Sequence, residues 1–534
     1  MARTLFFRKL ILALQAARRE NLKEQFLSPP ISSGEANWTR RQFIKTTTLA
    51  SIVGVADTCL ALPALAIEAL ATPKIAIIGA GLAGMNAAYQ LKKATITANV
   101  NVYEARTRVG GRVLSTDMGE GLIVDLGAEL INTDHADMLA LVEELGIDLF
   151  NRLNDVADLA FPKEAFYFKG IRYSESQLAN DLRPIAAQIA VDAALLDKDW
   201  DTYAPPLDRL SVADYLNRHV HKIHKPYIRE LLTSIIHTEY GVEPHESSAL
   251  QLITVLPVVN GQTVDLLSYS DEVYSVIGGT AKITDALAAK LAGQIHLDMN
   301  LVGIKKVGSK YQLKFANKTT VEADIVIIAI PFPVLSKISI GVPLPNHLHR
   351  FISEAKLGSN EKVIGRFSKR FWRQTGAFSL AAWGISGVSE IWDETSRQPE
   401  RTDGALNFFL GGNQARKASD VTNANKLGNK FVFALNKFIP EANQANKGFF
   451  IKSGWTKSTK TLGGYASFKP GQLTRFSSLF WIESDNPNEK QQVNVGNLIF
   501  AGEHLSDAYY GFMNGAAQTG RLAAKLAIEK IVAA

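Results

Sequence analysis

The sequence has very little cysteine. Its 534 residues contain one, Cys59, and none follows it. For residues 67–534 this excludes disulfides, metal sites built on cysteine and catalysis by a thiol. The chain also lacks a G-x-S-x-G motif, a P-loop, internal repeats and low-complexity tracts. These absences argue against a serine hydrolase, a P-loop nucleotidase and a repeat protein.

An excess of one charge is also missing from most of the chain. The formal net charge is +6, but residues 1–66 hold nine Lys and Arg against four Asp and Glu. The remainder carries 49 basic and 48 acidic residues, so no basic surface for nucleic acid is expected. With 46% hydrophobic and 21% charged residues the composition is that of a globular protein, and the length predicts two or three lobes.

The first 66 residues resemble an export signal. Thr39–Lys45 reads TRRQFIK, the moderately apolar run Thr46–Leu62 follows, and Ala64–Ala66 has the A-x-A form of a cleavage site. The apolar run is too short and too polar for a stable membrane span. We therefore expect a twin-arginine signal peptide and leader at 1–66, and a periplasmic or secreted protein. The alternative is an arginine pair before a buried helix; the role of residues 1–38 is open.

A dinucleotide-binding motif follows the leader. The apolar strand KIAII precedes GAGLAG at residues 79–84, and a helix is expected from there to about Lys93. Gly79 allows a tight turn, Gly81 lets the backbone approach a pyrophosphate, and Gly84 lets helix and strand pack closely. This order of strand, glycines and helix predicts a Rossmann-like unit.

The next strand ends in an acid and leads into a basic loop. Glu104 lies twenty residues after Gly84, where a carboxylate accepts hydrogen bonds from a ribose 2′-OH. The loop RTRVGGR, residues 106–112, then places cations and bare backbone amides beside the same pyrophosphate. Nicotinamide dehydrogenases do not usually carry this loop.

Together these segments resemble the FAD-binding signature of the flavin amine oxidase family, which includes flavin monoamine oxidases and L-amino-acid oxidases, and the chain looks like a bacterial member. The resemblance covers roughly residues 74–531. It implies an α/β (α+β) fold, with a Rossmann-like FAD-binding domain interleaved with a substrate domain of mixed sheet and helices. The expected FAD-binding pieces are 74–150, 271–335 and 466–531. Residues 151–270 are expected to form a mainly helical lobe, and 336–465 a substrate-binding lobe.

The resemblance also assigns cofactor contacts. In the family the backbone of a valine meets the adenine, and Val302 matches it; a glutamate reaches the ribityl hydroxyls, and Glu503 matches that one. The implied cofactor-binding residues are Gly79, Gly81, Leu82, Ala83, Gly84, Glu104, Ala105, Arg106, Gly111, Arg112, Val302, Gly502, Glu503 and Met513.

The closing stretch, AGEHLSDAYYGFMNGAAQTGRLAAKLA at 501–527, turns from a buried strand into a small-residue helix. Its segment 511–516 resembles the family's helix start beneath the flavin. Reduced flavin accumulates negative charge, and a helix N-terminus stabilises an anion there by roughly 0.3–2 kcal/mol. We therefore expect the isoalloxazine ring to lie at this helix N-terminus.

Several positions depart from the mitochondrial monoamine oxidases. Those enzymes attach FAD through a cysteine near the position of Gly464-Tyr465, and none exists here, so FAD is expected to be noncovalent. Phe512 stands where they place a tyrosine of an aromatic cage. Tyr465, Phe468 or Trp455 could complete that cage, or each could simply pack in the core.

Four residues are the catalytic candidates: Lys362, Phe512, Tyr465 and Glu129. Lys362 resembles the family's lysine near flavin N5, which holds a water and whose charge helps O2 take electrons; otherwise it points to solvent. Glu129 could attract the distant ammonium of a diamine or polyamine, or be a structural acid. No metal site is predicted, since the loop 240–246 fits a structural turn better than a metal cluster.

The resemblance implies oxidative deamination of a primary amine: hydride passes to flavin N5, the imine hydrolyses to a carbonyl and ammonia, and O2 is reduced to H2O2. The expected partners are a small amine or amino acid and O2, with a homodimer possible. An L-amino-acid oxidase is the first alternative, but Asp125–Leu130 lacks the arginine that often binds its substrate's carboxylate, leaving Arg366 as a substitute. A non-catalytic flavin-binding protein and an enzyme like the porphyrinogen oxidases are the others.

Overall fold

A computed structural model describes residues 72–94, 96–484 and 486–533. The predicted signal peptide and leader at 1–66 lie outside the described residues, so twin-arginine export stays a prediction.

The first sheet, here the nucleotide sheet, has five parallel strands and one antiparallel edge strand. The central strand Lys74–Ile78 is buried after its first residue, which its run of isoleucine and alanine predicts for a strand covered on both faces. The strands, in spatial order, are Ile295–His296, Asn99–Tyr103, Lys74–Ile78, Ile325–Ile328, Leu498–Phe500 and Asn494–Val495.

The long C-terminal helix Met513–Val532 packs against the helix Leu82–Lys93 that follows the first strand. Their close approach depends on small residues, because a Cβ added at Gly520 would lie 2.3 Å from the carbonyl oxygen of Ala83. The Asn86 side-chain amide also donates to the carbonyl of Ala517 at 2.7 Å. The first two turns of the helix Leu82–Lys93 are therefore held against the second and third turns of the C-terminal helix.

The second sheet, here the substrate sheet, has seven strands. Its central strands Asn360–Phe367 and Gly404–Gly411 are buried at every position. Two of its strands come from the segment 151–270, which is otherwise mainly helical. The strands, in spatial order, are Asn446–Lys452, Asn360–Phe367, Gly404–Gly411, Glu390–Asp393, Ala381–Trp383, Glu164–Phe168 and Ile171–Tyr173.

Smaller sheets complete the strands. A four-stranded sheet consists of Thr320–Ala323, Lys310–Phe315, Leu301–Val307 and Ser339–Gly341. The two-stranded pairs are Leu149–Asn151 with Tyr274–Val276, Ser115–Asp117 with Ile123–Asp125, Val258–Asn260 with Thr263–Asp265, and Lys356–Leu357 with Ala466–Ser467.

The remaining helices surround these sheets. They are Ala136–Leu145, Arg152–Asp155, Glu175–Lys198, Trp200–Asp208, Val212–Arg218, Pro226–Tyr240, Ala249–Val255, Ala281–Lys290, Phe332–Leu335, Asn346–Glu354, Gly412–Ser419, Ala424–Leu435, Glu441–Ala445 and Gln472–Arg475, with 3-10 turns at Val220–Lys222, Ser477–Leu479 and Glu503–Leu505. In the part of the chain that the structure describes, no helix is long and apolar enough to cross a membrane.

Gly84 tests the packing of the first strand–turn–helix unit. A Cβ at this position would lie 2.0 Å from the carbonyl oxygen of Gly79, which is backbone and cannot rotate away. We expect Gly84→Ala to lower the free energy of unfolding by about 1–3 kcal/mol and to reduce bound flavin, measured by denaturant unfolding and flavin absorbance. Gly454→Ala is the control, because a Cβ at Gly454 meets nothing within 4 Å. Equal effects of the two variants would contradict this account.

Candidate active site

Residues from both sheets line one cavity of about 330 Å³. It contains nearly all the predicted site residues, although they are scattered over more than four hundred positions of the sequence. The predicted residues that line it are Gly79, Gly81, Leu82, Ala83, Glu104, Ala105, Arg106, Gly111, Arg112, Glu129, Lys362, Tyr465, Gly502, Glu503, Phe512 and Met513.

Two predicted cofactor residues lie outside this lining. Gly84 acts through packing, as its place in the motif predicts. Val302 is 38% exposed, and its neighbour Leu301 lines the cavity instead. The expected contact is one of the Val302 backbone with the adenine, so the exposure of the side chain does not test it and it stays a prediction.

The glycine turn brings bare backbone to the cavity wall. Gly79 has φ +104°, a left-handed conformation that favours glycine, and its added Cβ would lie 2.8 Å from the carbonyl oxygen of Ala329. Gly81 and Gly111 face each other, since a Cβ at Gly111 would lie 3.1 Å from the Cα of Gly81. Two glycine-containing loops, 79–84 and 106–112, thus meet where a pyrophosphate needs exposed amides.

Glu104 fixes the turn between these loops. One of its carboxylate oxygens accepts the backbone N–H of Ala80 at 2.8 Å, and the other accepts that of Arg106 at 2.9 Å. The carboxyl group is buried at the end of the strand Asn99–Tyr103 and lines the cavity. It therefore keeps acceptor capacity for a ribose hydroxyl while it holds the glycine turn in place.

Arg112 and Glu503 connect three separate segments. The Arg112 guanidinium donates to the Glu503 carboxylate at 2.8 Å and to the carbonyl of Gly464 at 2.6 Å. The second oxygen of Glu503 accepts the backbone N–H of Gly511 at 2.7 Å. Glu503, which the sequence assigned to the ribityl hydroxyls, thus also holds the start of the final helix in position.

The cavity end of the helix Met513–Val532 has no negative side chain in its first turn, and Phe512 provides no side-chain cap. Its free N–H groups therefore favour an anion. His504 lies nearby in the lining, and neither ring nitrogen has a hydrogen-bond partner within the described chain. Burial lowers the pKa of His504 to about 4, so the ring is neutral and can still accept or donate to a bound group.

Lys362 lies in the substrate sheet and points into the protein, not into solvent. Its ammonium donates to the Glu129 carboxylate at 2.6 Å and to the carbonyl of Asp125 at 2.8 Å. The side chain is 6% exposed and lines the cavity. Burial opposes its charge, but the neighbouring carboxylates, Glu129 first, raise the pKa of Lys362. Lys362 is therefore a fixed cation in the cavity wall.

A second cation, Arg397, completes a buried charge network that the sequence did not reveal. Its guanidinium is within 3.2 Å of Asp125, 3.3 Å of Glu394 and 3.4 Å of Glu129. Burial acts against ionisation of Glu129, but Lys362 and Arg397 lower its pKa to about 2. The Glu129 carboxylate already forms ion pairs with these two cations and accepts the indole N–H of Trp392 at 3.2 Å. These contacts favour the structural role of Glu129 over the binding of a substrate ammonium.

Aromatic side chains form much of the wall next to Lys362. Tyr465, Trp455 and Phe512 line the cavity, whereas Phe468 does not and packs edge-on against Tyr510. The Tyr465 hydroxyl accepts from the Asn360 side chain at 2.9 Å, and Phe512 lies 5.7 Å from the ring of Tyr269. Trp392, which the sequence did not single out, has its ring 5.1 Å from the Lys362 ammonium.

Three further carboxyl groups line the same cavity: Glu239, Glu272 and Glu390, here called the acid cluster. Burial, followed by the charge of Glu272, raises the pKa of Glu239 to about 8. Burial and the other acids raise the pKa of Glu390 well above its ordinary value. These three acids were not predicted from the sequence. Each is a single acid near apolar residues, as Glu390 is in EIWD, and such an acid has no sequence feature that distinguishes it from an acid on the surface.

The residues present fit FAD. Facing glycines leave room for a pyrophosphate, Glu104 offers a ribose acceptor, and an uncapped helix start faces the cavity. The unpartnered His504 ring adds a hydrogen-bonding group without a protein partner. No cysteine occurs in residues 67–534 to form a thioether, so the site is suited to noncovalent binding.

Comparison with known sequences identifies one family. The profile described as flavin containing amine oxidoreductase matches residues 82–528. A flavin-containing amine oxidase B from Sus scrofa is 26% identical over 472 residues, covering 84% of this chain and 85% of the relative. The amine oxidase B of Homo sapiens is 25% identical over 473 residues, with the same two coverages.

Solved structures share the fold. Cyclohexylamine oxidase from Brevibacterium oxydans IH-35A superposes with a TM-score of 0.72 at 24% identity, covering 86% of this chain and 100% of that one. A putrescine oxidase bound to putrescine gives a TM-score of 0.69 at 24% identity, covering 87% and 99%. At this identity the likeness establishes the α/β fold, and the predicted fold class is confirmed.

Glu129→Gln tests the buried charge network. Removing the carboxylate leaves Lys362 and Arg397 short of a counter-charge, so the free energy of unfolding should fall by about 3–5 kcal/mol at pH 7. Because the folded-state pKa of Glu129 is depressed to about 2, this contribution is present above the unfolded value of about 4.3 and disappears as pH falls towards 2.

The measurement is denaturant unfolding of wild type and variant at pH 7 and at a series of pH values below 5. Glu322→Gln, which removes an exposed carboxylate from the four-stranded sheet, is the control and should change little. A gap between wild type and Glu129→Gln that does not narrow in acid would contradict the assigned ion pairs.

Proposed function

Because the chain belongs to the family of flavin-containing amine oxidoreductases, we propose that it is an FAD-dependent oxidase of primary amines. The family match, which spans residues 82–528, supports an FAD-dependent amine oxidoreductase. The assignment as an oxidase of primary amines rests on one observation. The buried cation Lys362 and several aromatic side chains line the same cavity as the residues predicted to bind FAD. When bound, FAD supplies a hydride acceptor for the amine carbon and passes the electrons to O2, giving an imine and H2O2.

The protein's own residues hold the cofactor and shape its surroundings. The facing glycines and Arg106 suit the pyrophosphate, and Glu104 suits the ribose. The Arg112–Glu503 pair fixes the start of the final helix, whose amides favour negative charge. These groups are in place without rearrangement, which is the condition for electrostatic stabilisation at low cost.

The substrate side of the cavity excludes water and positions the amine. Trp392, Tyr465 and Phe512 provide apolar faces in the lining, so an uncharged amine can lie against them with its carbon exposed. Lys362 contributes a cation that Glu129 and the Asp125 carbonyl hold in one place. A fixed positive charge there favours electron transfer to O2, because the product of that transfer is an anion.

The charges of the cavity favour an amine over an amino acid. Arg366, the candidate for binding a substrate carboxylate, pairs with Glu120 and Asp403 and does not line the cavity. Among the described residues that line the cavity, Lys460 donates to the Asn300 side chain at 2.8 Å. The other lysine and arginine side chains there are Arg106 and Arg112 of the cofactor loop and Lys362, which is paired with Glu129. The acid cluster offers no positive partner to a substrate carboxylate. An L-amino-acid oxidase is therefore the weaker alternative.

A peroxide-coupled assay of the FAD-loaded protein tests this function. The panel pairs each L-amino acid with its decarboxylated amine, for example phenylalanine with phenethylamine and lysine with 1,5-diaminopentane. We expect kcat/KM to be at least about tenfold higher for the amine of each oxidised pair, since a substrate carboxylate would leave water without gaining a positive partner in the cavity. A free L-amino acid that exceeds its own amine would overturn the amine assignment. Absence of peroxide from every compound would favour a non-catalytic flavoprotein.

A further inference from the structure

The acid cluster has no role in the oxidation of a simple monoamine. Its members come from three separate elements: Glu239 from the helix Pro226–Tyr240, Glu272 from the segment before the strand Tyr274–Val276, and Glu390 from the first position of the strand Glu390–Asp393. All three line the cavity that contains Lys362. Half-buried carboxyl groups that converge from three elements on one cavity are costly for a fold unless something compensates them.

Strand register places Glu390 at a defined distance from Lys362. Phe409 pairs with Lys362 on one side and with Glu390 on the other, so the three residues lie abreast on neighbouring strands. Side chains directly opposite one another point to the same face of a sheet. With neighbouring strands about 4.8 Å apart, the Cα atoms of Lys362 and Glu390 are separated by roughly 10 Å.

The acid cluster is short of positive partners. Glu390 makes no side-chain hydrogen bond or ion pair that the described residues show. Glu272 has Arg152 at 4.0 Å, and Glu239 accepts from the hydroxyl of Tyr269. The cluster is not arranged as a metal site, since no group of three such side chains in the described chain is placed to hold an ion.

We propose that the acid cluster, with Glu390 as its central member, binds the distal ammonium of a diamine or polyamine whose other amino group is oxidised beside Lys362. The inference rests on the proposed function, because that function places an amine in this cavity. A second ammonium on the same substrate molecule would supply the charge that the cluster lacks. Only an amine with two separated nitrogens can occupy both positions.

The electrostatics give a second signature. Burial, followed by the neighbouring acids Glu272, Glu164 and Glu239, raises the pKa of Glu390 well above its ordinary value, and Arg152 opposes this only in part, so the free protein favours the protonated group. A bound ammonium favours the carboxylate, so binding of a diamine should release a proton. A monoamine of the same length has no charge to place at the cluster and should release fewer protons.

The test compares 1,5-diaminopentane with pentylamine on the FAD-loaded protein. We expect kcat/KM to be at least about tenfold higher for the diamine, and Glu390→Gln to reduce this ratio by about tenfold or more, because it removes one partner of a buried charge pair. Glu272→Gln should reduce the ratio in the same direction and replaces the first variant if Glu390→Gln does not retain flavin. Glu322→Gln, on the surface and away from the cavity, is the matched control and should leave the ratio unchanged.

Calorimetric titration with both amines in two buffers of different ionisation enthalpy is the second readout. The inference is overturned if peroxide forms with equal kcat/KM for the two amines, or if both glutamine variants leave the ratio of diamine to monoamine kcat/KM unchanged. Either result leaves the proposed function standing. Absence of peroxide together with diamine binding that the variants weaken overturns the proposed function and supports the acid cluster as a diamine site. Absence of both turnover and selective diamine binding overturns both.

Discussion

The buried ion pair between Lys362 and Glu129 joins the two halves of the site. Lys362 belongs to the substrate sheet, and Glu129 lies in the segment that follows the strand Ile123–Asp125, so the 2.6 Å contact ties the substrate sheet to the part of the chain that carries the cofactor loops. Removing two charges from water is expensive, and the pair persists because Arg397, Trp392 and the carbonyl of Asp125 satisfy the remaining hydrogen-bonding capacity. A cation that is held from several sides can act on a reaction without moving.

Charge is distributed unequally along the cavity. Near the glycine loops the wall presents backbone amides, Arg106 and Arg112, which suit the phosphates of a dinucleotide. Beyond Lys362 it presents aromatic rings and the acid cluster, which suit a cationic amine.

The sequence predicted the local parts of this site better than its distant contacts. The strand, the glycine turn and the helix to about Lys93 were predicted from one motif, because each glycine of that motif is required by a particular backbone conformation or close contact. The observed helix Leu82–Lys93 confirms the predicted helix. The aromatic candidates and Lys362 were found by resemblance. Which of the aromatic candidates face the cavity depends on tertiary packing: Tyr465 and Trp455 line it, and Phe468 does not.

The charge network could not be predicted because its members are far apart in the sequence. Glu390, Glu394 and Arg397 belong to one segment, but Asp125, Glu129, Glu239 and Glu272 come from distant parts of the sequence, and only tertiary packing brings them together. An isolated acid in a strand has no periodicity that distinguishes a buried residue from an exposed one. Their grouping becomes visible only when several carboxyl groups are found to line one cavity.

The rate at which O2 reoxidises the reduced protein tests the central claim most directly. Chemical reduction of FAD-loaded protein, followed by mixing with O2 in a stopped-flow instrument, measures this step without any substrate. If the fixed cation assists O2, Lys362→Met should slow reoxidation by at least about tenfold, and Lys362→Arg, which keeps the charge, should retain most of the wild-type rate. A wild-type rate in Lys362→Met, with flavin still bound, would contradict the account.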